Sequence, residues 1–164
     1  MTMTTRLAVP HDAPAIADIY NEGIEDRIAT FETSPRSPDD VREQLLAKAD
    51  AYPTIVVQSD GVVIAFTTAG QYRSRPCYAG IAEHSVYVAR SARGRGAGAL
   101  ALSALCDRYA DLGFWKLCSR IFAENVASIR LHERCGFRIV GTYERHAQLD
   151  GVWRDCVIVE RLLS

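Results

Sequence analysis

The chain has 164 residues, of which 48% are hydrophobic and 24% are charged, and its formal net charge is −1. This length fits one domain, residues 1–164, that can bury a core of its own. The balanced charge and the lack of a long basic run exclude a typical nucleic-acid-binding protein. No apolar run reaches the length of a membrane span and the N-terminus lacks a signal-peptide pattern, so we expect a cytoplasmic protein that binds no membrane.

The cysteines argue against covalent or metal cross-linking. Five of them, Cys77, Cys106, Cys118, Cys135 and Cys156, lie singly among apolar neighbours and form no Cys-x-x-Cys pair. An odd number of isolated cysteines is typical of reduced thiols rather than of a disulfide framework or a zinc site. Because the histidines are equally dispersed, we expect no bound metal.

The first half of the chain predicts a strand, two helices and a β-hairpin, in that order. The second helix has the clearer start, because a capping serine, a proline and two acids follow one another at 37–40. β-Branched runs on either side of Asp60-Gly61, a pair that favours tight turns, predict the hairpin. The predicted segments are a strand at 6–9, a helix capped by Asp12, the helix from Ser37, and strands at 53–59 and 62–72.

The second half predicts strands that alternate with helices, followed by a final hairpin. Asn125 is a good N-cap and Gly136 a good C-terminal glycine for one helix. The predicted segments are a strand at 83–89, a helix ending at Gly113, a strand at 115–123, the helix between Asn125 and Gly136, and strands at 137–148 and 152–162 that meet at Asp150-Gly151. The order β-α-α-β-β-β-α-β-α-β-β indicates a mixed α/β (α+β) fold.

The most informative segment is Arg93-Gly94-Arg95-Gly96-Ala97-Gly98, between a predicted strand and an amphipathic helix. Glycines at a helix entrance expose backbone N–H groups and let a ligand approach closely. Together with the positive end of the helix dipole, these groups favour a phosphate, and Arg93 and Arg95 add positive charge. The segment therefore predicts a loop that binds a pyrophosphate.

Two other interpretations of this loop compete. Residues 94–99 also satisfy the dinucleotide fingerprint G-x-G-x-x-G/A. In that fingerprint the glycines follow the strand directly, whereas residues 90–93 intervene here, so a dinucleotide is disfavoured. The loop could also be an ordinary tight turn without a ligand.

The loop resembles the R/Q-x-x-G-x-G/A motif of the GCN5-related N-acetyltransferase (GNAT) superfamily, with Arg93, Gly96 and Gly98 at the named positions. A second segment, Asn125-x-x-Ser128-x-x-x-His132-x-x-x-Gly136-Phe137, is similar to that superfamily's N-x-x-A-x-x-x-Y-x-x-x-G-F pattern. The two motifs occur in the superfamily's order, so the resemblance covers more than the loop.

Within the superfamily, the chain most resembles the phosphinothricin and methionine sulfoximine N-acetyltransferases, whose arsinothricin-acetylating relatives share the same motifs. The shared segments are Ile19-Tyr20-Asn21, Thr30-Phe31-Glu32, Glu83-His84-Ser85-Val86-Tyr87-Val88 and Ser128-Ile129-x-Leu131-His132-Glu133. One segment departs from the branch pattern V-G-x-K-x-G-x-W-x-D. Residues 146–155 keep its Gly-x-Trp-x-Asp end but lose its first glycine and its lysine.

This resemblance implies the GNAT fold, a twisted mixed seven-stranded sheet with flanking helices and splayed central strands. It implies an acetyl-CoA-dependent N-acetyltransferase that acts on the α-amino group of a small glutamate-like amino acid analogue, in detoxification or antibiotic resistance. It also implies a homodimer. A protein of another class stays open at this point, a non-catalytic acyl-CoA-binding sensor that would keep the glycine loop.

Acetyl transfer to an amine needs a base for the ammonium, a donor to the oxyanion and a proton for the departing thiolate. Glu83 starts the central strand shortly before the glycine loop, and the resemblance implies it as the general base. The resemblance implies His132 as the second catalytic residue, and a histidine can donate or relay a proton near neutral pH. The alternatives are a solvated Glu83 and a His132 that only packs. His84 is set aside because neighbouring strand residues face opposite sides of a sheet.

For the cofactor, the resemblance implies that the backbones of Val86 and Val88 bind the pantetheine arm and that Asn125 adds a contact, although Asn125 is equally suited to an ordinary N-cap. The full predicted set is Val86, Val88, Arg93, Gly94, Arg95, Gly96, Gly98, Asn125 and Ser128. No cysteine lies within residues 83–98 to carry an acetyl group, which favours direct transfer in a ternary complex.

For the acceptor, Arg73 and Arg75 lie in the loop before the central strand. Their planar guanidinium groups suit a carboxylate or a tetrahedral oxyanion, so they favour a glutamate-like substrate, with two solvated loop charges as the alternative. The candidate walls of the acceptor pocket are Phe31, Tyr20 and Trp153, and each could equally belong to the core. Since the family is usually dimeric, Trp153 is also a candidate for a site shared between subunits.

Overall fold

A seven-stranded mixed sheet with helices on both faces forms the architecture in the computed structural model, which describes residues 2–163. The elements are β1 (Met3–Leu7), α1 (Ala13–Asp26), α2 (Pro38–Lys48), β2 (Ile55–Ser59), β3 (Val62–Gln71), β4 (Ile81–Val88), α3 (Ala97–Asp111), β5 (Lys116–Phe122), α4 (Val126–Arg134), β6 (Arg138–Leu149) and β7 (Val152–Leu162). This is the order of elements that the sequence predicts. Among the described residues, no helix is long and apolar enough to cross a membrane.

The sheet has the strand order β1-β2-β3-β4-β5-β7-β6. All neighbouring strands are antiparallel except β4 and β5, which are parallel. This pair is also short, since only residues 81–83 of β4 pair with residues 116–118 of β5. Beyond these residues the two central strands separate, as the resemblance to the superfamily implies.

Local sequence signals are confirmed where they depend on a few neighbouring residues. The Ser37 hydroxyl accepts a hydrogen bond from the Asp40 N–H, and the Asp40 carboxylate accepts one from the Ser37 N–H, which completes a capping box. The two hairpin turns, at Asp60-Gly61 and Asp150-Gly151, have the left-handed backbone angles that tight hairpin turns require.

The first strand and the first helix cap differ from the prediction. The strand spans Met3–Leu7 rather than residues 6–9, because its pairing with β2 begins at Met3. Asp12 does precede α1, but its carboxylate makes no bond to that helix. It accepts bonds from Arg6 at 2.7 and 2.8 Å and from the Val9 N–H. The Arg6 guanidinium lowers the pKa of Asp12, since a nearby cation favours the charged carboxylate.

The core has a layer on each face of the sheet. On one face, α3 and α4 cover a cluster that includes Leu102, Leu105 and Tyr109. On the other face, α1 and α2 cover a cluster that includes Ile16 and Phe66. Residues of β4 alternate between these layers, so that positions 82, 84, 86 and 88 face α3 and α4 while 83, 85 and 87 face α1 and α2.

Candidate active site

A cavity of about 580 Å³ lies where β4 and β5 separate. It extends from β4 to the glycine turn before α3 and to the first turns of α4. All but one of the residues predicted to hold a cofactor line it, namely Val86, Val88, Arg93, Gly94, Gly96, Gly98, Asn125 and Ser128. The structure therefore brings together residues from three separate segments of the chain.

Arg95 is the predicted residue that the cavity does not include. Its guanidinium donates to the Ser91 carbonyl at 2.9 Å, and the residue lines an open groove beside the cavity together with Arg134 and Arg161. Arg134 lines both spaces. Positive charge thus lies outside the glycine turn as well as next to it.

The backbone of β4 faces the gap at alternate residues. The His84 carbonyl accepts a bond from the Ser119 hydroxyl at 2.8 Å, and the Val88 carbonyl accepts one from the Arg93 Nε at 3.4 Å. Both carbonyls point away from β3, and Val86 lies between them at the same parity. Because peptide groups two residues apart point the same way in a strand, Val86 also turns its N–H and C=O toward the gap.

The glycine turn presents backbone donors without side chains. Gly94 and Gly96 have φ of 78° and 85°, a conformation that glycine adopts without strain. The Leu100 N–H makes the first helical bond, to the Gly96 carbonyl, so the N–H groups of residues 97–99 precede the ladder of α3. Arg93 anchors the turn to α1 through an ion pair of 2.8 Å with Asp26. The turn has the features of an anion site at a helix N-terminus.

Glu83 is the last residue of β4 that pairs with β5. Its carboxylate accepts bonds from the Nε and Nη2 atoms of Arg120 at 2.8 and 3.2 Å. Arg120 lies on β5 and lines a second, narrow cavity of about 30 Å³ between the separated strands. Sequence reasoning missed Arg120, because only the register between β4 and β5 brings it to Glu83.

His132 lies in the wall of the same narrow cavity and is 1% exposed. Its Nδ1 is 2.8 Å from the Ser128 carbonyl oxygen, and its Nε2 is 3.0 Å from the Nε2 of His84. Burial lowers the pKa of both histidines. The pKa of His84 is lowered further by the repulsion that a protonated His132 would exert on it. Both rings are therefore neutral near pH 7.

The prediction that His84 and Glu83 face opposite sides of the sheet agrees with their contacts. His84 does face away from Glu83, but α4 packs on that side of the sheet and places His132 against it. Glu83 and His132 thus approach the gap from opposite faces. No local pattern could have found His84, because only the packing of α4 on the sheet brings it to His132.

The candidate acceptor residues do not line either of the two cavities. Arg73 and Arg75 are exposed, and the Arg73 guanidinium lies 4.5 Å from the ring centre of Tyr72. Neither arginine lines the two cavities. Phe31 packs on Phe122, a residue of the narrow cavity, with 4.6 Å between ring centres. Trp153 is 53% exposed on β7.

Residues 146–155, which depart from the branch pattern, lie beside Phe31 and Phe122. Strand pairing is irregular between Tyr143 and Ala147, and Arg145 has a left-handed φ of 48°. The Asp155 carboxylate holds this irregularity by accepting the Arg145 N–H at 2.7 Å. Leu149 is buried in a small cluster with Phe122 and with Phe31 at its edge. Through Leu149, this segment thus packs in the same cluster as Phe31, a predicted wall of the acceptor pocket.

Comparison with known proteins agrees with this geometry. Residues 16–137 match the family model described as Acetyltransferase (GNAT) family. The chain belongs to this family. It is therefore an acyltransferase, and the interpretations of the loop as a dinucleotide site or an ordinary turn, and of the protein as a sensor, give way to that conclusion.

Individual relatives match over nearly their whole length. The chain is 35% identical to a phosphinothricin N-acetyltransferase of Streptomyces coelicolor, covering 96% of this chain and 95% of the relative. It is 34% identical to an L-methionine sulfoximine/L-methionine sulfone acetyltransferase of Pseudomonas paraeruginosa, with 98% and 94% covered. A solved acetyltransferase of Salmonella typhimurium with its cofactor acetyl-CoA superposes with a TM-score of 0.95 at 30% identity, covering 100% of this chain and 95% of that one. The resemblance to this branch and the GNAT fold are confirmed.

Proposed function

We propose that this protein transfers the acetyl group of acetyl-CoA to the α-amino group of a small glutamate-like amino acid analogue. The observation that carries the proposal is the cavity beside the glycine turn, which shares Val86, Asn125 and Ser128 with the narrow cavity. That narrow cavity is lined by His132 and by Arg120, the hydrogen-bond partner of Glu83. The names of the relatives support the acceptor class, and the acetyl-CoA in the Salmonella structure supports the cofactor. The proposed role is detoxification of phosphinothricin, methionine sulfoximine or arsinothricin in the cytoplasm.

In this proposal the pantetheine arm lies along β4, and the pyrophosphate binds the glycine turn. The backbone of Val86 faces the gap and bonds the arm as an added strand would. The N–H groups of the first turn of α3 offset the phosphate charge, and Arg93, which pairs with Asp26, holds the turn in place beside them. The thioester then comes to lie at the inner end, where the strands part.

Glu83 acts as the general base, directly or through a water molecule. The acceptor nitrogen attacks the thioester carbonyl carbon, and the carbon–sulfur bond breaks. The ammonium loses two protons in the complete reaction. We propose that Glu83 accepts one of these protons and that His132 carries the other proton to the departing sulfur. No cysteine lies within residues 83–98, which supports direct transfer without an acetylated enzyme.

The decisive test is thiol release from acetyl-CoA with phosphinothricin, methionine sulfoximine and arsinothricin as acceptors, compared by kcat/KM. We expect turnover with at least one of them and none with a polyamine, because Arg73 and Arg75 repel a cationic acceptor. Tight acetyl-CoA binding without turnover on any amino acid analogue would refute the proposal.

Replacing Arg73 or Arg75 by alanine is expected to raise the acceptor KM about tenfold to a hundredfold, since a charge-assisted hydrogen bond is lost. The acetyl-CoA KM should stay within a few-fold. Arg108→Ala, an exposed arginine on α3, is the matched control. If both loop variants keep the wild-type acceptor KM in steady-state assays, the arginines are solvated charges.

Replacing Gly98 by valine is expected to weaken acetyl-CoA binding. A Cβ at Gly98 would lie 3.2 Å from a methyl of Val88 and 3.4 Å from one of Leu131, so a larger side chain must fill the cavity. Filling this space should raise the Kd measured by calorimetry by roughly fivefold to a hundredfold, the equivalent of about 1–3 kcal/mol of binding free energy. Thermal unfolding checks that the variant folds. An unchanged Kd would place the arm elsewhere.

We also propose that the protein is a homodimer through the β6–β7 hairpin. Five apolar side chains on this hairpin are 45–57% exposed, namely Ile139, Val140, Tyr143, Val152 and Trp153. A cluster of this kind is typical of an interface. Trp153 would then lie near the partner's acceptor site. Sedimentation equilibrium measures the mass in solution: we expect the mass of a dimer, and the mass of a single chain would contradict the proposal.

A further inference from the structure

The described residues contain one pair of ionisable side chains that is fully buried and mutually hydrogen-bonded. His84 and His132 are 2% and 1% exposed, and their rings stack with 5.2 Å between centres and an interplanar angle of 26°. The Phe137 ring packs against both imidazoles, with its centre 5.1 Å from the centre of each. Since buried polar groups destabilise a fold unless they are bonded, this geometry demands a defined proton arrangement.

The contacts determine where the protons lie. The Nδ1 of His132 faces a carbonyl oxygen, that of Ser128, and therefore carries a hydrogen. In a neutral ring the Nε2 of His132 is then an acceptor. The Nε2 of His84, at 3.0 Å, must supply the hydrogen between the two rings. In this arrangement the Nδ1 of His84 is a buried lone pair that makes no hydrogen bond among the described residues, while the backbone of Cys118 acts on the same ring and raises its pKa against the lowering by burial.

These bonds form a chain that ends at the cavity. The Ser119 hydroxyl of β5 donates to the His84 carbonyl of β4, and the His84 ring donates to His132 of α4. His132 in turn donates to the carbonyl of Ser128, one helical turn earlier. Ser128 lines both cavities, and Asn125 caps the same turn by accepting the Ser128 N–H. The pair thus ties both separated strands to the wall of the cofactor cavity.

We propose that His84 is a positioning residue for acetyl transfer, which holds His132 in the Nδ1-protonated tautomer and keeps the first turn of α4 in place at the acyl end of the cavity. The proposal rests on the proposed function, because it acts through His132. The fixed tautomer keeps the only proton of His132 on the side of Ser128, which lines the gap, rather than on the side of the core. Without His84, the Nε2 of His132 would be a buried acceptor without a donor, and the orientation of the ring would depend on the Ser128 carbonyl alone.

The test compares three variants with the wild type. His84→Phe keeps an aromatic ring of similar size but removes the donor. His84→Gln keeps a donor at the position of Nε2. Phe137→Leu disturbs the packing of both rings and leaves their nitrogens intact. Each variant is assayed for kcat and for the KM of acetyl-CoA, with thermal unfolding as the check on folding.

We expect His84→Phe to lower kcat about tenfold to a hundredfold, a part of the 10²–10⁴ that proton transfer contributes. The acetyl-CoA KM should change by less than a few-fold, His84→Gln should recover most of kcat, and Phe137→Leu should stay near the wild type. Nitrogen-15 NMR of the ring nitrogens in the wild type should show His132 protonated at Nδ1 and His84 at Nε2.

Three results would overturn the proposal: a wild-type kcat in folded His84→Phe, an equal loss of kcat in Phe137→Leu, or a His132 ring protonated at Nε2. These results differ from a failure of the proposed function, in which the wild type itself releases no thiol with any acceptor. The NMR measurement needs no activity and reports on the pair in either case.

Discussion

Replacing Glu83 by glutamine lowers the kcat of acetyl transfer by about 10²–10⁴-fold, the usual share of a general base, and leaves the affinity for acetyl-CoA within a few-fold. Glutamine has the same size and keeps one carbonyl oxygen, so one of the two hydrogen bonds from Arg120 survives. What it loses is the ability to take a proton. The measurement is steady-state thiol release combined with calorimetric titration of acetyl-CoA.

Raising the pH should restore part of the activity of the Glu83→Gln variant, because more of the acceptor is then present as free amine. Glu160→Gln is the matched control, since Glu160 is also a strand carboxylate held by an arginine, Arg138, at 2.6 Å. It should keep the wild-type kcat. A loss confined to acetyl-CoA binding, or an equal loss in both variants, would make Glu83 a structural residue.

The free energy of unfolding should fall by up to about 3 kcal/mol between pH 7.5 and pH 5.5, because burial lowers the pKa of two histidines in the folded protein. The ordinary pKa of histidine is 6.5, and the folded values of His84 and His132 lie below it. Below pH 6.5 the unfolded chain therefore binds more protons than the folded one. Stability is complete above this pH and decreases as the pH falls toward the folded pKa values.

Denaturant unfolding at a series of pH values measures this slope, which approaches about 2.7 kcal/mol per pH unit for two protons. His84→Phe removes one of the two groups, so its slope should be about half as steep. A wild-type stability that does not change over this range would mean that the pair takes up a proton while folded. The tautomers assigned to the two rings would then be wrong.

Much of the fold is determined by the sequence itself. The helix starts at Ser37 and Asn125, the turns at 60–61 and 150–151 and the glycine turn are all found where the sequence predicts them. Each of these features depends on residues within about one helical turn, through a cap, a left-handed φ or an exposed N–H. The motifs around these positions also identify the family.

Only the tertiary structure decides which side chains meet at the gap. Glu83 bonds Arg120 across 37 residues of chain, and His84 bonds His132 across 48. Such contacts follow from the register of β4 against β5 and from the face on which α4 packs, and neither leaves a periodic signal in the sequence. The alternation of a strand places His84 on the opposite face from Glu83, but it does not predict that His132 is the side chain that contacts His84 on that face. That choice is made by the packing of α4, because the burial of its apolar residues against the sheet fixes the position of His132.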